Sequence, residues 1–288
     1  MLIVVNSKEM IAHIYEVHLY CIGYCIIFYN SSMKILIDTN IYLDFYRSNK
    51  EGIILLSELI ALDGVIILTD QIIQEFERSR EKVLRNVLKN FEQESRLGGF
   101  TSSLLSDMED FRELEKARKL YNNKKDKVIK LITAMLDDPS EDKIAVFFKQ
   151  LVNKAIAGNK VWYTDDEIIK NAHSRKLIGN PPTTIDKYSI GDEINWEIVL
   201  RHIDEDTIIV GRDNAFYDNF SFLAKEFKKL TGHSLKGVTD RITNALKIVG
   251  IRPGDVVETA EKLLMRSMEE SNYSEFWKRS AKVEETIL

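Results

Sequence analysis

The stretch Met33–Tyr46, MKILIDTNIYLDFY, carries a short aliphatic run, Ile35-Leu36-Ile37, that stops abruptly on Asp38, Thr39 and Asn40. A run of that length and content reads as a buried strand. From Asn40 onward the pattern turns helical, and EGIILLSELIALDG continues as a helix closed by Gly64. A second aliphatic strand, Val65–Thr69, follows, and then a long helical segment with Asp70 at its N-cap. Strand, helix, strand, helix in this order requires parallel strands joined by right-handed crossovers, which is an α/β layered fold.

Downstream, the segment from about 97 to 180 reads as helical throughout, with no strand signal, and is expected as an α-helical insertion packed on one edge of the sheet. NPPTT (Asn180–Thr184) breaks it and returns the chain to the sheet. Gly191–Ile203 is an amphipathic helix opening on an acid, and Thr207–Gly211 is a third clear strand ending in RDN. FLAKEFKKLTG is a helix stopped by Gly232, SLKGV is a weak edge strand, and TDRITNALKIVG is a further helix. A helical tail is expected over 251–288. With 288 residues, 44% hydrophobic, the chain holds enough apolar surface for one sizeable core plus a helical insertion. Four prolines and no Gly/Ser-rich linker argue against freely jointed domains.

Four carboxylates fall at one kind of place. Asp38 follows the first strand and Asp213 the third; Glu75 lies about a turn into the helix after the second strand; Asp192 opens the helix that feeds the third. The carboxyl ends of parallel strands form the crevice in which open α/β sheets bind ligands. Acids distant in sequence therefore meet there. Like charges so placed repel, and partial burial adds to the cost, so a cation is expected among them. An all-oxygen donor set suits Mg²⁺ or Mn²⁺, ions that assist in-line displacement at a phosphodiester. Thr39 and Asn40 are expected to steady the acids by hydrogen bonds.

Taken in order, ILIDTNIYLD around Asp38, VIILTDQIIQEF around Glu75, SIGDEINWEIVL around Asp192 and TIIVGRDNAF around Asp213 resemble the PIN domain, a metal-dependent nuclease fold. The resemblance covers about Met33–Gly250 and looks closest to an uncharacterised bacterial branch with a helical insertion. It implies a three-layer α/β/α sandwich around a parallel sheet. It also implies Mg²⁺- or Mn²⁺-dependent cleavage of single-stranded or structured RNA, with Asp38, Glu75, Asp192 and Asp213 as metal ligands and catalytic groups. Many members carry a small polar residue before the last acid, whereas this chain has Arg212, which reaches either a phosphate or a neighbouring acid. Asp213 is accordingly the weakest of the four, and Asp218 is its stand-in.

Each of these residues has a plainer reading. Asp38 and Asp192 also suit helix N-termini, and Glu75 is a surface helix position unless Ile72, Ile73 and Phe76 turn it inward. Glu193 is expected to face solvent, and Trp196 to pack in the core. The basic groups around Lys170, Arg175 and Lys176, and those of Arg118–Lys130, suit a solvated face or a track for an RNA backbone. The first set is the better placed for that role. His173 belongs to that surface rather than to catalysis.

Net charge is -5, with a pI near 5.7, which disfavours coating of nucleic acid by bulk electrostatics and leaves room for a local basic groove. The only cysteines, Cys21 and Cys25, build no disulfide framework, consistent with a cytoplasmic setting. Residues 1–32 include the apolar stretch His18–Tyr29, too short for a bilayer span. They are expected to be an N-terminal extension the fold does not need, with Met33 directly before the first strand.

Two functions compete: a metal-dependent ribonuclease, and a PIN-like module without chemistry that binds RNA or a protein. A dehalogenase-like phosphohydrolase wants a second Asp where Asn40 stands. The resemblance admits a toxin or phage-defence role, with an antitoxin or other regulatory protein as partner, although the chain is about twice the size of such toxins.

Overall fold

The computed structural model describes residues 33–47, 52–62, 64–93, 96–184, 188–212 and 214–266. The chain divides into two units, Met1–Ser31 and Ser32–Leu288. The N-terminal extension, with Cys21 and Cys25, lies outside the described residues, as do Asp213 and the tail beyond 266.

The second unit is built on a five-stranded sheet. Its elements run β1 (Met33–Ile37), α1 (Thr39–Asp44) with a 3-10 turn over Phe45–Arg47, α2 (Gly52–Ala61), β2 (Ile66–Thr69), α3 (Asp70–Gln93), α4 (Glu109–Asp137) and α5 (Lys143–Ala157). There follow β3 (Val161–Trp162), α6 (Asp166–Ile178), α7 (Gly191–His202), β4 (Asp206–Val210), α8 (Asn214–Asp218), α9 (Phe220–Thr231), β5 (Leu235–Thr239) and α10 (Ile242–Ile248). A last helix, α11, occupies 255–266.

All strands are parallel, in the order β3-β2-β1-β4-β5. The first strand therefore sits in the middle. The chain winds outward to β2 and β3, then crosses back to β4 and β5. Right-handed crossovers place helices on both faces, so the molecule is a PIN-like α/β/α sandwich with helical additions. Because the winding direction reverses between β1 and β4, their carboxyl ends part at a topological switch point, where such sheets open a crevice.

The core strands are apolar on both faces, as strands covered on both sides must be: Ile35, Leu36 and Ile37 are buried, and so are Ile208, Ile209 and Val210. Trp196 on the inner side of α7 is fully buried beside Phe216 and Phe227, and its indole N–H donates to Glu226 at 2.8 Å. The helix α9 ends at Gly232, whose φ of +78° supplies the left-handed cap that a side chain disfavours.

The segment 97–180 departs from the sequence expectation of a strandless block on one edge. Helix α5 packs on α2, α6 packs on α7, and between them Val161–Trp162 pairs in parallel with Leu68–Thr69 and extends the sheet. Two residues give no readable period. The pairing is fixed instead just beyond the strand, where the Thr164 N–H and hydroxyl both donate to the Asp70 carboxylate, at 3.0 and 2.7 Å. Asp70 thus serves β3 as well as standing at the start of α3.

Candidate active site

The crevice forms where the register brings β1 and β4 to a common end. Ile37 pairs with Val210, so the next residues, Asp38 and Gly211, leave the sheet side by side. The Asp38 N–H donates to Val210 O at 2.8 Å, which fixes the backbone of the acid. The two stay close neighbours there: a methyl group on Gly211 would stand 3.5 Å from the Asp38 Cβ, an ordinary contact.

The opposite wall comes from the N-termini of α3 and α7. The Thr69 hydroxyl, at the end of β2, accepts from the Ile72 N–H at 3.0 Å and donates to Asn195 at 2.6 Å, pinning α3 to α7. Asp38, Asp192 and Asn195 line one cleft, floored by Leu36, Ile72, Ile209 and Phe216. Glu75 stands at its rim, half-buried. The Thr39 hydroxyl donates to Glu75 Oε2 at 3.2 Å, and the Asn40 amide donates to Asp38 Oδ2 at 3.2 Å. The two polar residues behind Asp38 therefore each hold one acid.

The start of α7 lies against α3, beside Gln71 and Glu75. A methyl group on Gly191 meets Gln71 Nε2 at 2.8 Å and lies 3.7 Å from Glu75 Oε2. Asp38 and Asp192 thus line one cleft from the end of β1 and the start of α7, and Glu75 of α3 is tied to Thr39, the residue after Asp38. Asp38's field also reaches below the cleft: burial first, and its charge second, push the phenol of Tyr42 above its ordinary range. Asp218, the stand-in for Asp213, is exposed on α8.

Among the described residues, which leave out Asp213, no three His, Cys, Asp or Glu side chains stand together at metal-holding geometry. The donor set nevertheless fits a hard divalent cation. Mg²⁺ keeps several of its waters and takes only one or two protein carboxylates directly, with the substrate phosphate completing its shell, so loosely spaced acids suit it.

Several basic and acidic residues sit elsewhere than expected. Arg212 bonds to Asp44, a buried acid on α1, and its other terminal nitrogen lies 3.5 Å from Met265 of α11. A buried carboxylate demands a cation, so this arginine is committed to Asp44. Arg175 is a correction: it is buried, pairs with Glu197 at 2.7 Å and Glu226 at 2.9 Å, and donates to Pro181 O. A guanidinium so occupied has no face for a passing RNA strand. Lys176 is likewise engaged, with Thr184 O at 2.9 Å and Glu193 at 3.2 Å. Glu193, expected in solvent, is 1% exposed and accepts from the Thr183 hydroxyl at 2.7 Å. Together these residues tie the proline turn to α7. Of the expected RNA-contacting set on α6, Lys170 is exposed.

Asn195 and Gln71 escaped the sequence reading. Both carry a signal that helical spacing offers: Asn195 is three residues after Asp192, and Gln71 four before Glu75, hence on the same helix faces.

Residues 35–216 match the family model described as PIN domain. No curated protein and no solved structure gives a significant match. Among the described residues no helix is long and apolar enough to cross a membrane.

Proposed function

Given that the chain belongs to the PIN domain family, whose members are generally nucleases acting on nucleic acids with divalent metals, we propose that it is an endoribonuclease dependent on Mg²⁺ or Mn²⁺. The observation that carries this reading is the cleft shared by Asp38 and Asp192, with Glu75 held at its rim by Thr39.

In this reading Asp38, Glu75, Asp192 and Asp213 hold the cation, directly or through its waters. When bound, the ion supplies Lewis acidity for hydrolysis of the phosphodiester. Thr39 and Asn40 keep two of the carboxylates turned toward the cleft, which limits the reorganisation needed when the ion and phosphate arrive. Asn195 offers a neutral polar group on the same wall. Arg212, bonded to Asp44, anchors the turn after β4 rather than a phosphate. Lys170 is left to attract the RNA backbone, a contact that weakens with salt.

The cellular setting that suits such an activity is the cytoplasm, in a toxin or phage-defence role held in check by an antitoxin or other regulatory protein. The decisive experiment incubates the purified chain with end-labelled single-stranded RNA and Mg²⁺ or Mn²⁺. Cleavage is expected with either metal and none in excess EDTA. Asp38→Asn is expected to slow cleavage on the order of 1,000-fold, about 4 kcal/mol of barrier. Cleavage that survives both EDTA and the substitution contradicts the proposal. Binding of RNA without cleavage under any divalent metal favours the inactive-module reading instead.

A further inference from the structure

One side chain in the cleft is held at one end and open at the other. Asn195 is 5% exposed and lines the cleft beside Asp38 and Asp192. The Thr69 hydroxyl, fully buried, already accepts from the Ile72 N–H at 3.0 Å and holds the Asn195 amide oxygen at 2.6 Å. A hydroxyl has a single proton, and here it goes to that oxygen. The reverse orientation would turn the amide oxygen toward two carboxylates, acceptor against acceptor. The amide nitrogen, with its two N–H donors, therefore faces the cleft, and it has no hydrogen-bond partner among the described residues. Buried donors are almost always paired, so this one is aimed at something the cleft receives.

We propose that Asn195 is a substrate-contacting residue whose amide N–H donates to a non-bridging oxygen of the phosphodiester that enters between Asp38 and Asp192. The inference rests on the nuclease reading of the cleft and deepens it. A phosphodiester brings a negative charge between acids, so it needs groups that donate to it. Among the described residues that line the cleft, Asn195 alone carries side-chain N–H groups; the others are acidic or apolar. Its neutrality matters as well. An ammonium or guanidinium in the same place would compete with a metal ion for the two carboxylates, and an amide does not. Asn195 lies three residues after Asp192 on α7, so the two share a helix face, and Thr69 pins that face to α3. A donor fixed before the substrate arrives needs no reorganisation during the reaction, and one such donor is worth about 100-fold in rate.

The test uses the full-length chain with Mn²⁺ and single-stranded RNA, first unmodified and then with one phosphorothioate at the cleaved linkage, each diastereomer separately. Asn195→Ala and Asn195→Asp are expected to lower kcat/KM about 100-fold. Both are expected to keep the wild-type melting transition and to bind Mn²⁺ in calorimetry no more weakly than the wild type. Asn195→Asp retains the size of the side chain and the bond from Thr69 and removes only the N–H groups. Sulfur accepts hydrogen bonds poorly, so the wild type is expected to cleave one diastereomer about 10-fold slower than the other. That preference is expected to shrink in Asn195→Ala. A wild type that cleaves RNA while both variants match it overturns the role of Asn195 and leaves the nuclease reading standing. So does a wild type indifferent to the two diastereomers, or a preference that Asn195→Ala retains in full. Mn²⁺ affinity that falls in step with cleavage assigns Asn195 to orienting the acids, and also overturns the proposal. A wild type that cleaves no RNA under either metal overturns the nuclease reading itself, and this inference with it.

Discussion

The crevice at the end of β1 and the helical arm formed by α3 and α4 are opposite solutions to placing polar groups. In β1, three of five residues are buried and the next residue is an acid whose backbone and side chain are both hydrogen-bonded. In α4, one residue of 29 is buried and most charges face solvent. The crevice fixes its groups by long-range contacts: Thr69 to Asn195 and Thr39 to Glu75 join residues far apart in the chain. The arm is joined by shorter-range links between its own helices, such as Arg96 with Asp126 and Lys125 with the Glu92 carbonyl. Position costs stability and constrains sequence in the first region, and leaves the second free to carry a surface.

The arm joins the body of the fold at a polar knot. Arg80 of α3 donates to Asp142 at 2.7 Å and also to the Met135 carbonyl near the end of α4, and the Tyr46 hydroxyl donates to the same carboxylate at 2.6 Å. Asp142 in turn caps α5 by accepting from the Ile144 and Ala145 N–H groups. Cutting this knot is the largest stability change expected. Arg80→Leu leaves a buried carboxylate without its cation and should cost about 3 kcal/mol or more in chemical denaturation. A loss below about 1 kcal/mol would mean that the arm's root is not held this way.

The same knot has a pH signature. Burial, and then the bond to Asp142, raise the Tyr46 phenol above its ordinary value. The fold thus favours the protonated phenol, so stability is unaffected below about pH 10, the unfolded value, and falls as pH climbs beyond it. Tyr46→Phe should flatten that alkaline decline while costing about 1 kcal/mol at neutral pH through the lost hydrogen bond. Unfolding curves from pH 8 to 11 compare the two; parallel declines in wild type and variant would remove Tyr46 from the account.

Within the crevice, Thr39→Val keeps the shape of the side chain and deletes its bond to Glu75. RNA cleavage should drop about 10-fold with less than about 1 kcal/mol lost in stability. Equal activity in the variant would show that Glu75 needs no such hold. At the arm, Leu120→Ser should change the unfolding free energy by no more than about 0.5 kcal/mol. A larger change would place this surface in contact with the body and blur the contrast between the regions.

What the sequence revealed follows the same division. The strands β1, β2 and β4 are continuous aliphatic runs, and a run buried on both faces is legible without its neighbours. The place of Asp38 was legible too, because the carboxyl end of a parallel strand is a place defined by topology. Strand β3 was not, since two residues have no period and the bonds that anchor it come from Asp70, more than 90 residues earlier. Arg175 and Glu193 look like surface groups in the sequence. Their burial depends on Glu197, Glu226 and Thr183, partners that only the packing of α6 on α7 brings near. Arg212 was read as reaching a phosphate or an acid; Asp44, the last residue of α1, is the acid it reaches.

The most direct test of the central claim is a calorimetric titration of Mn²⁺ into the full-length chain and into Asp38→Asn, Glu75→Gln and Asp192→Asn. The account predicts saturable binding by the wild type and at least about 10-fold weaker binding by each variant, all with native unfolding curves. Identical isotherms for wild type and all three variants would show that these acids share no cation, and the crevice would lose its chemistry.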